Sequence, residues 1–142
     1  MNIRIRSAVD ADVGAMHRLR NRVRENRLAD FTRITEASYP PYIAAGSAWV
    51  AEAKDGILGF AIIDAPATSV WALFVDPNTE GAGIGRALHV TMLDWARKQG
   101  IAHLSLSTEE GSRAVRFYQR AGWTQTAILQ DGEVVFERSL LM

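Results

Sequence analysis

Residues 70–86 read VWALFVDPNTEGAGIGR. The first part of this segment is rich in β-branched and aromatic residues, which favour a β-strand. Three glycines spaced by two, Gly81, Gly83 and Gly85, follow and precede a run with helical periodicity. Such a turn lets successive backbone N–H groups converge at the positive end of a helix dipole. The segment therefore predicts a strand, a phosphate-binding turn and a helix; the alternative is a tight turn that binds no ligand.

Two familiar nucleotide-binding motifs do not match this turn. A P-loop ends in Gly-Lys followed by Ser or Thr, whereas Gly85 is followed by Arg86 and Ala87. The dinucleotide fingerprint requires a third glycine three residues after its second one, and that position, counted from Gly83, is Arg86. The turn is therefore predicted to bind phosphate through its backbone alone, without the P-loop lysine and outside a Rossmann fold.

Periodicity outside this segment predicts an α/β fold. Residues 84–98 repeat apolar side chains on one helical face, and the dipeptides at 55–56 and 131–132 are Asp-Gly, which favours hairpin turns. A capping-box spacing from Ser7 to Asp10 predicts a helix directly after it. That helix is expected to bury Val13, Met16, Leu19 and Val23. The predicted order, β-α-α-β-β-β-α-β-α-β-β, is typical of an α/β fold with a single mixed sheet flanked by helices.

Composition limits the functional classes. The 142 residues are predicted to form one domain, 1–142, since 48% are hydrophobic and 23% charged, as in globular chains. Lys plus Arg and Asp plus Glu number 16 each, and this zero net charge argues against a nucleic-acid partner. The absence of cysteine excludes disulfides and thiol catalysis and favours a cytoplasmic location. The longest apolar run, residues 57–63, is shorter than the ~20 residues that cross a bilayer, so no membrane partner is expected.

Two motifs resemble those of a known superfamily. The pattern Glu80-x-x-Gly83-x-Gly85 is similar to the element Gln/Arg-x-x-Gly-x-Gly/Ala, and residues 114–123 are similar to Ala-x-x-Phe/Leu-Tyr-x-x-x-Gly-Phe. The motifs stand in the same order, and the predicted elements agree over nearly the whole chain. The chain thus resembles the GCN5-related N-acetyltransferase (GNAT) superfamily. The resemblance implies the acyl-CoA N-acyltransferase fold, with a splayed sheet, and acetyl-CoA as co-substrate without a metal.

The resemblance also implies a set of cofactor contacts. Backbone groups of Phe74 and Val75 would bind the pantetheine amides where the sheet splays, and a nearby strand N–H would polarise the thioester carbonyl. The pyrophosphate would be held by the backbone amides of Gly81, Ala82, Gly83, Ile84, Gly85 and Arg86. Arg113 is a candidate partner for the adenosine phosphate, and the alternative for this arginine is a solvated position on a helix.

Two residues are candidates for proton transfer. Tyr118 occupies the motif position whose phenol, by the resemblance, gives a proton to the departing thiolate. A phenol with a pKa of about 10 is protonated at neutral pH; the alternative role for Tyr118 is that of a core aromatic. Glu109 follows a predicted strand at 103–107, beside the expected splay, and is the candidate general base. An exposed glutamate that only contacts solvent is the alternative for Glu109.

The chain departs from the family pattern at two positions. Glu80 places a carboxylate where Gln or Arg is usual, and Gly111 stands where the family often has Asn, so that Ser112 is left to supply a side-chain contact. The first helix carries a run of arginines that the resemblance sets beside the acceptor pocket, where they would favour an acidic acceptor; a solvated helix face is the alternative. These arginines are Arg18, Arg20, Arg22, Arg24 and Arg27. The three histidines, His17, His89 and His103, lack metal-like spacing and are expected to be structural or surface residues.

The resemblance implies an enzyme, an N-acetyltransferase that moves the acetyl group of acetyl-CoA directly to a primary amine. The acceptor is expected to be a small molecule or a peptide, and a homodimer is left open. The alternative from another class is a non-catalytic acyl-CoA-binding module that acts as a sensor or a structural partner. Glu80 and Gly111 favour this alternative, whereas Tyr118 argues for the enzyme.

Overall fold

The computed structural model describes residues 2–23, 34–79 and 81–141. Within these ranges the strands form one seven-stranded sheet in the order β1-β2-β3-β4-β5-β7-β6. Neighbouring strands are antiparallel except for β4 and β5, which are parallel. The strands are β1 (Arg4–Ser7), β2 (Ala48–Ala53), β3 (Gly56–Asp64), β4 (Ser69–Val75), β5 (His103–Glu109), β6 (Thr124–Ile128) and β7 (Glu133–Ser139). The α/β class with a mixed sheet is confirmed.

Four α-helices flank the sheet in the described part of the chain. They are α1 (Val13–Val23), α2 (Pro40–Ala44), α3 (Ile84–Lys98) and α4 (Arg113–Arg120), and short 3-10 turns cover Asp10–Asp12, Glu36–Ser38 and Pro77–Thr79. The bounds of α3 coincide with the predicted range, because a glycine precedes its first residue and its apolar stripe is continuous. Within residues 2–23, 34–79 and 81–141, no helix has the length and apolar character needed to cross a membrane.

The core lies on both faces of the sheet, because successive strand residues point to opposite sides. On one face, here called the α3 face, Trp49 of β2 and Ala61 of β3 pack with residues of α3 and with Tyr118 of α4. On the other, the α1 face, Val50 and neighbouring strand residues pack with α1 and with Tyr39. The helices that carry the two motifs therefore share one face of the sheet.

The sheet splays between β4 and β5. In the described residues these strands are paired at one position, Ser69 with Ser105, and they separate beyond it. On its other edge β4 keeps its ladder with β3, although Ile62 pairs with Ala72 while Ile63 pairs with Val70. Trp71 is therefore an extra residue of β4, a β-bulge that bends the strand. The predicted splayed sheet is confirmed, and the gap leaves the β5-facing edge of β4 without a strand partner.

The start of the first helix differs from the prediction. Ser7 pairs with Trp49 as the last residue of β1, so it does not cap a helix. The capping carboxylate belongs to Asp12, which accepts a hydrogen bond from the Val9 N–H at 2.8 Å and is held by Arg6 at 2.9 Å. The predicted Ser7-to-Asp10 box is wrong, because pairing with β2 takes Ser7 into the sheet.

The buried stripe of α1 also differs at one position. Val13, Met16 and Leu19 are buried as predicted, but Val23 is 37% exposed. The fourth buried residue of α1 is Arg20, because its guanidinium lies over two aromatic rings of β4. Periodicity identifies the buried face of a helix but not which side chain the neighbouring strand can accommodate.

Candidate active site at the splayed strands

The end of β4 is held in a defined turn. The Asp76 carboxylate accepts a hydrogen bond from the Asn78 backbone N–H at 2.9 Å, and the Thr79 hydroxyl donates to the Asp76 carbonyl at 2.8 Å. The other carboxylate oxygen of Asp76 accepts from Arg22 of α1 at 3.1 Å. These bonds connect the end of β4 to a short 3-10 turn and to α1, so the position at which the chain leaves β4 is fixed by contacts with two elements.

The glycine turn forms an open cradle at the N-terminus of α3. Gly81 and Gly83 have φ values of +87° and +79°, a left-handed conformation that favours glycine. A Cβ atom built on either glycine meets no atom within 4 Å. Ala82 is exposed, and Gly83 precedes the first residue of a 15-residue helix. The arrangement suits an anion, which the backbone N–H groups and the helix dipole would bind together.

The remaining residues of the predicted cradle differ in their surroundings. Ile84 is buried in the core and Arg86 is exposed, so only the backbone of Ile84 faces the turn. A Cβ built on Gly85 lies 3.4 Å from the Phe117 ring and 3.5 Å from Val75. Because Gly85 has no side chain, α3 can pack closely against α4 and β4. Any contact of Gly85 with phosphate would be made by its backbone.

The two predicted pantetheine contacts lie where β4 separates from β5. Phe74 and Val75 are half-buried, with Phe74 packed on the α1 face and Val75 on the α3 face. Since β5 has turned away here, the backbone N–H and C=O groups on this edge of β4 have no strand partner. An extended amide-containing chain fits such an edge, because it can replace the missing hydrogen bonds.

The N-terminus of α4 carries a buried hydroxyl in need of a partner. Ser112 precedes the first residue of α4, and its Oγ is buried without a hydrogen bond among the described residues. Buried polar atoms are normally satisfied, so an atom of this kind points to a missing partner. Ser112 is the residue expected to supply the side-chain contact that Gly111 cannot make. Arg113, the first residue of α4, is exposed beside it.

Tyr118 is enclosed by aromatic rings. Its side chain is 5% exposed, and its ring centroid lies 5.3 Å from that of Phe117, 5.4 Å from Trp123 and 6.1 Å from Phe136. Burial raises the pKa of the Tyr118 phenol well above its ordinary value, and no hydrogen bond within the described part of the chain opposes that rise. The hydroxyl is therefore protonated at neutral pH and able to donate.

Glu109 lies in an acidic cleft. It is the last residue of β5, is exposed, and pairs in register with Glu133 of β7. Both line a cleft of about 250 Å³ together with Glu110, Asp131 and Gly132. Tyr118 does not line this cleft. The structure thus groups Glu109 with other carboxylates and does not single it out as a base.

The family of the chain follows from comparison with known proteins. The family described as "Acetyltransferase (GNAT) domain" matches residues 44–125, more than half of the chain. The matched range includes β4, the glycine turn, α3 and Tyr118. The chain belongs to the GNAT acetyltransferase family.

Individual relatives agree with this GNAT assignment. A protein of Sanguibacter keddieii named mycothiol acetyltransferase is 32% identical over an alignment of length 131 that covers 85% of this chain and 40% of that protein. The chain therefore spans less than half the length of this relative. Ard1 from Thermoplasma volcanium has the same fold, with a TM-score of 0.83, 20% identity and complete coverage of both chains. PaiA N-acetyltransferase from Thermoplasma acidophilum, solved with coenzyme A, has a TM-score of 0.79 and 16% identity, covering 98% and 99% of the two chains.

A charged aromatic cluster on the α1 face of the GNAT sheet did not emerge from the sequence. Arg20 is 6% exposed, and its Cζ lies 4.7 Å from the centroid of the Trp71 ring and 5.0 Å from that of Phe74. The Tyr39 hydroxyl, 3.0 Å from His17 Nδ1, adjoins this group. Burial raises the pKa of Tyr39, and the Arg20 guanidinium opposes that rise. The run of arginines on α1 was the available signal, but spacing alone did not distinguish Arg20.

The other arginines of that run differ from Arg20. Arg22 binds Asp76 and Arg18 is exposed, whereas Arg20 is buried, so the three arginines described in α1 have different surroundings. Arg24 and Arg27 lie outside the described residues, as does Glu80, whose carboxylate departs from the GNAT motif. A carboxylate at this position either points away from the pyrophosphate or lowers the affinity for coenzyme A, and this expectation stays a prediction.

A second polar contact, on the α3 face, also escaped sequence reasoning. The Trp123 Nε1–H donates a hydrogen bond of 2.9 Å to His89 Nε2, and both side chains are buried. Burial, with Arg138 and Arg97 nearby, lowers the pKa of His89 to about 4, so its ring is neutral at physiological pH. His89 was predicted to be either a structural or a surface residue, and its burial confirms that it is a structural one. The partners are 34 residues apart in sequence, which left no local signal.

Proposed function

We propose that this GNAT chain transfers the acetyl group of acetyl-CoA directly to a primary amine. The proposal rests on one observation: the open left-handed glycine turn at the N-terminus of α3 adjoins the edge of β4 that β5 leaves. The turn suits the pyrophosphate, and the strand edge suits the pantetheine amides. Coenzyme A in the PaiA N-acetyltransferase structure, which shares this fold, supports the assignment.

The residues proposed to hold the cofactor act mainly through their backbone. Phe74 and Val75 are proposed to bind the pantetheine arm, and Arg113 is proposed to bind the adenosine phosphate. The pyrophosphate is proposed to be bound by the backbone of Gly81, Ala82, Gly83, Ile84, Gly85 and Arg86. Ser112 is added to this set, because its buried hydroxyl lacks a partner in the described residues. When bound, acetyl-CoA supplies an activated acetyl thioester and a thiolate leaving group.

Tyr118 is proposed as the proton donor to the leaving thiolate. Its phenol keeps its proton at neutral pH because burial among Phe117, Trp123 and Phe136 disfavours the phenolate. In the complete reaction an N–C bond replaces the C–S bond, the amine loses a proton and the sulfur gains one. This chain has no cysteine, so the acetyl group does not pass through a protein thiol. Glu109 stays a prediction for the base that takes the amine proton.

The acceptor is proposed to be a small molecule or a peptide amine. The name mycothiol acetyltransferase, which the Sanguibacter keddieii relative carries, favours a small molecule. Because the chain spans only 40% of that relative, we propose the chemistry and not its acceptor. The buried cation of Arg20, which lies over Phe74 at the edge of the proposed site, favours an acceptor that also carries a negative group.

Three further expectations stay predictions, and the question of a homodimer stays open. The expectations are a cytoplasmic location, a reaction without a metal, and the absence of nucleic-acid and membrane partners. The zero net charge and the lack of cysteine in the sequence support the location and the absence of nucleic acid. The open state of assembly is directly measurable by sedimentation.

The test combines binding with turnover. Acetyl-CoA binding is measured by calorimetry, and release of the coenzyme A thiol is measured with a panel of amines that includes amino acids, diamines and peptides. The proposal expects binding together with amine-dependent thiol release. Binding without release for every amine supports the non-catalytic acyl-CoA-binding module instead. Failure to bind acetyl-CoA contradicts both functions. The Gly100→Ala protein, which is altered far from the cradle, serves as a folded control for the binding measurement.

A further inference from the structure

We propose that His89 is a positioning residue for Tyr118. The inference rests on the proposed role of Tyr118 as proton donor. His89 lies on α3, the helix whose N-terminus forms the glycine cradle, whereas Tyr118 lies on α4. The distance between cradle and phenol therefore depends on how α3 and α4 are held together, and His89 lies at that junction.

The first contact is a directional hydrogen bond between α3 and the segment that follows α4. The Trp123 indole donates to His89 Nε2 at 2.9 Å, in a buried position, directly after the turn that ends α4. An indole nitrogen is a donor only, so the neutral imidazole must accept. A hydrogen bond weakens steeply as its donor–hydrogen–acceptor angle falls below the near-linear range. The bond therefore orients the indole ring, whereas apolar packing has no directional preference.

The second contact is an aromatic edge. The His89 ring is T-shaped against Phe117, with centroids 5.6 Å apart. Phe117 in turn lies close to Gly85, in the first turn of α3, where a Cβ would be 3.4 Å from its ring. Phe117 is thus wedged between two points of α3, and its position relative to the cradle is set by both.

These two rings are also walls of the Tyr118 pocket. The Tyr118 centroid lies 5.3 Å from that of Phe117 and 5.4 Å from that of Trp123. Burial is the cause of the raised pKa of Tyr118, with no contribution from a hydrogen bond, so packing against these rings holds the phenol in place. His89 contacts both of these walls and not the phenol itself. It follows that His89 sets the placement of the hydroxyl without taking part in the chemistry.

The kinetic test is a double-mutant cycle. His89→Leu and Tyr118→Phe are made singly and together, and thiol release from acetyl-CoA is measured with water as the acceptor, so that acetate and the free thiol are the products. His89→Leu is expected to lower kcat about 10- to 100-fold with an unchanged KM for acetyl-CoA, because a small misplacement of a reacting group carries a cost of this size. In the Tyr118→Phe protein the same change is expected to have no further effect, since the hydroxyl is already absent.

Two further variants test the hydrogen bond itself. His89→Gln keeps an acceptor for the indole and is expected to recover most of the lost kcat. Trp123→Phe keeps a ring but removes the donor, so it is expected to lower kcat like His89→Leu. Circular dichroism and thermal melting identify the folded variants. Should His89→Leu fail to fold, Trp123→Phe takes its place in the cycle.

A spectroscopic measurement is independent of turnover. The chain has three tyrosines, so ring-labelled tyrosine gives three sets of NMR signals, and Tyr118→Phe identifies one of them. The Tyr118 signal is expected to shift in folded His89→Leu, with the signals of Tyr39 and Tyr42 unchanged. An unmoved Tyr118 signal, or an equal loss of kcat in both tyrosine backgrounds, overturns the positioning role. Wild-type kcat in Tyr118→Phe overturns the proton-donor assignment itself and is distinguishable from both results.

Discussion

The two faces of the sheet bury their polar groups in different ways. On the α3 face, Tyr118 and His89 are both neutral, and burial shifts the pKa of each in the direction that removes charge. On the α1 face, Arg20 carries a permanent cation between the rings of Trp71 and Phe74. Cation–π contact compensates part of the free-energy cost of burying that charge. Among the buried residues described on the α3 face, none carries a charge that needs such compensation.

This difference matches the two roles proposed for the two faces of the sheet. A neutral, apolar environment keeps a proton on Tyr118 and suits a proton donor. A buried cation suits recognition of a negative group on the acceptor. The β4 strand, with Phe74 on one face and Val75 on the other, lies between the two environments. The comparison therefore predicts that changes to Tyr118 on the α3 face lower kcat, while matched changes on the α1 face, where only acceptor binding through Arg20 is proposed, leave kcat unchanged.

The largest expected effect comes from removing one hydroxyl on the α3 face. Tyr118→Phe keeps the ring that packs against Phe136 and is expected to lower kcat by ~10²–10⁴-fold, with acetyl-CoA affinity unchanged. Tyr42→Phe is the matched control on the α1 face, where the hydroxyl donates to Asp64 at 3.4 Å. Thiol-release kinetics and calorimetry measure both. An equal loss of kcat in the two variants would remove the distinction between the faces.

The next-largest expected effect is a loss of folding stability as the pH falls. The folded-state pKa of His89, about 4, lies below its ordinary value of 6.5, so the unfolded chain takes up the proton first as the pH falls. Neutral His89 contributes fully to the free energy of unfolding above pH 6.5, and this contribution is lost as the pH falls towards 4. Wild type is expected to lose on the order of 2–3 kcal/mol more than His89→Gln over this range, as measured by urea unfolding.

The matched control for this pH dependence lies on the α1 face. Arg20→Met removes a buried cation that keeps its charge between pH 4 and 6.5, in the range where His89 titrates. Arg20→Met is therefore expected to change the free energy of unfolding by a similar amount at every pH. The dependence of stability on pH is expected to stay the same as in wild type. A flat wild-type curve over this interval would show that His89 is not the group whose protonation destabilises the fold.

The smallest effect compares the two ends of α3. Gly83 and Gly100 share a φ of +79°, and neither has an atom within 4 Å of a built Cβ. Gly83→Ala and Gly100→Ala are therefore each expected to cost ~1 kcal/mol of stability through the same backbone strain. Only Gly83→Ala is expected to weaken acetyl-CoA binding, about tenfold, because its methyl group enters the cradle. Equal affinities in the two proteins would refute the cradle as the phosphate site.

Local signals accounted for much of the α3 face. The bounds of α3, the glycine turn and the position of Tyr118 within a helix all depend on residues within a few positions of each other. The predicted burial of Val23 was wrong, since Arg20 found a place over β4 that periodicity does not describe. The α1 face was therefore predicted less well than the α3 face.

The sequence by itself determined the α/β class, the order of the elements, the strand, glycine turn and helix of residues 70–98 and the family motifs, because each follows from local conformational preference. The separation of β4 from β5 was implied by the family resemblance and not by any local pattern. Only the tertiary structure decided two features, the stacking of Arg20 on Trp71 and the hydrogen bond from Trp123 to His89. Each joins residues far apart in sequence, whose meeting depends on how helices pack on a twisted sheet, and no local pattern encodes that packing.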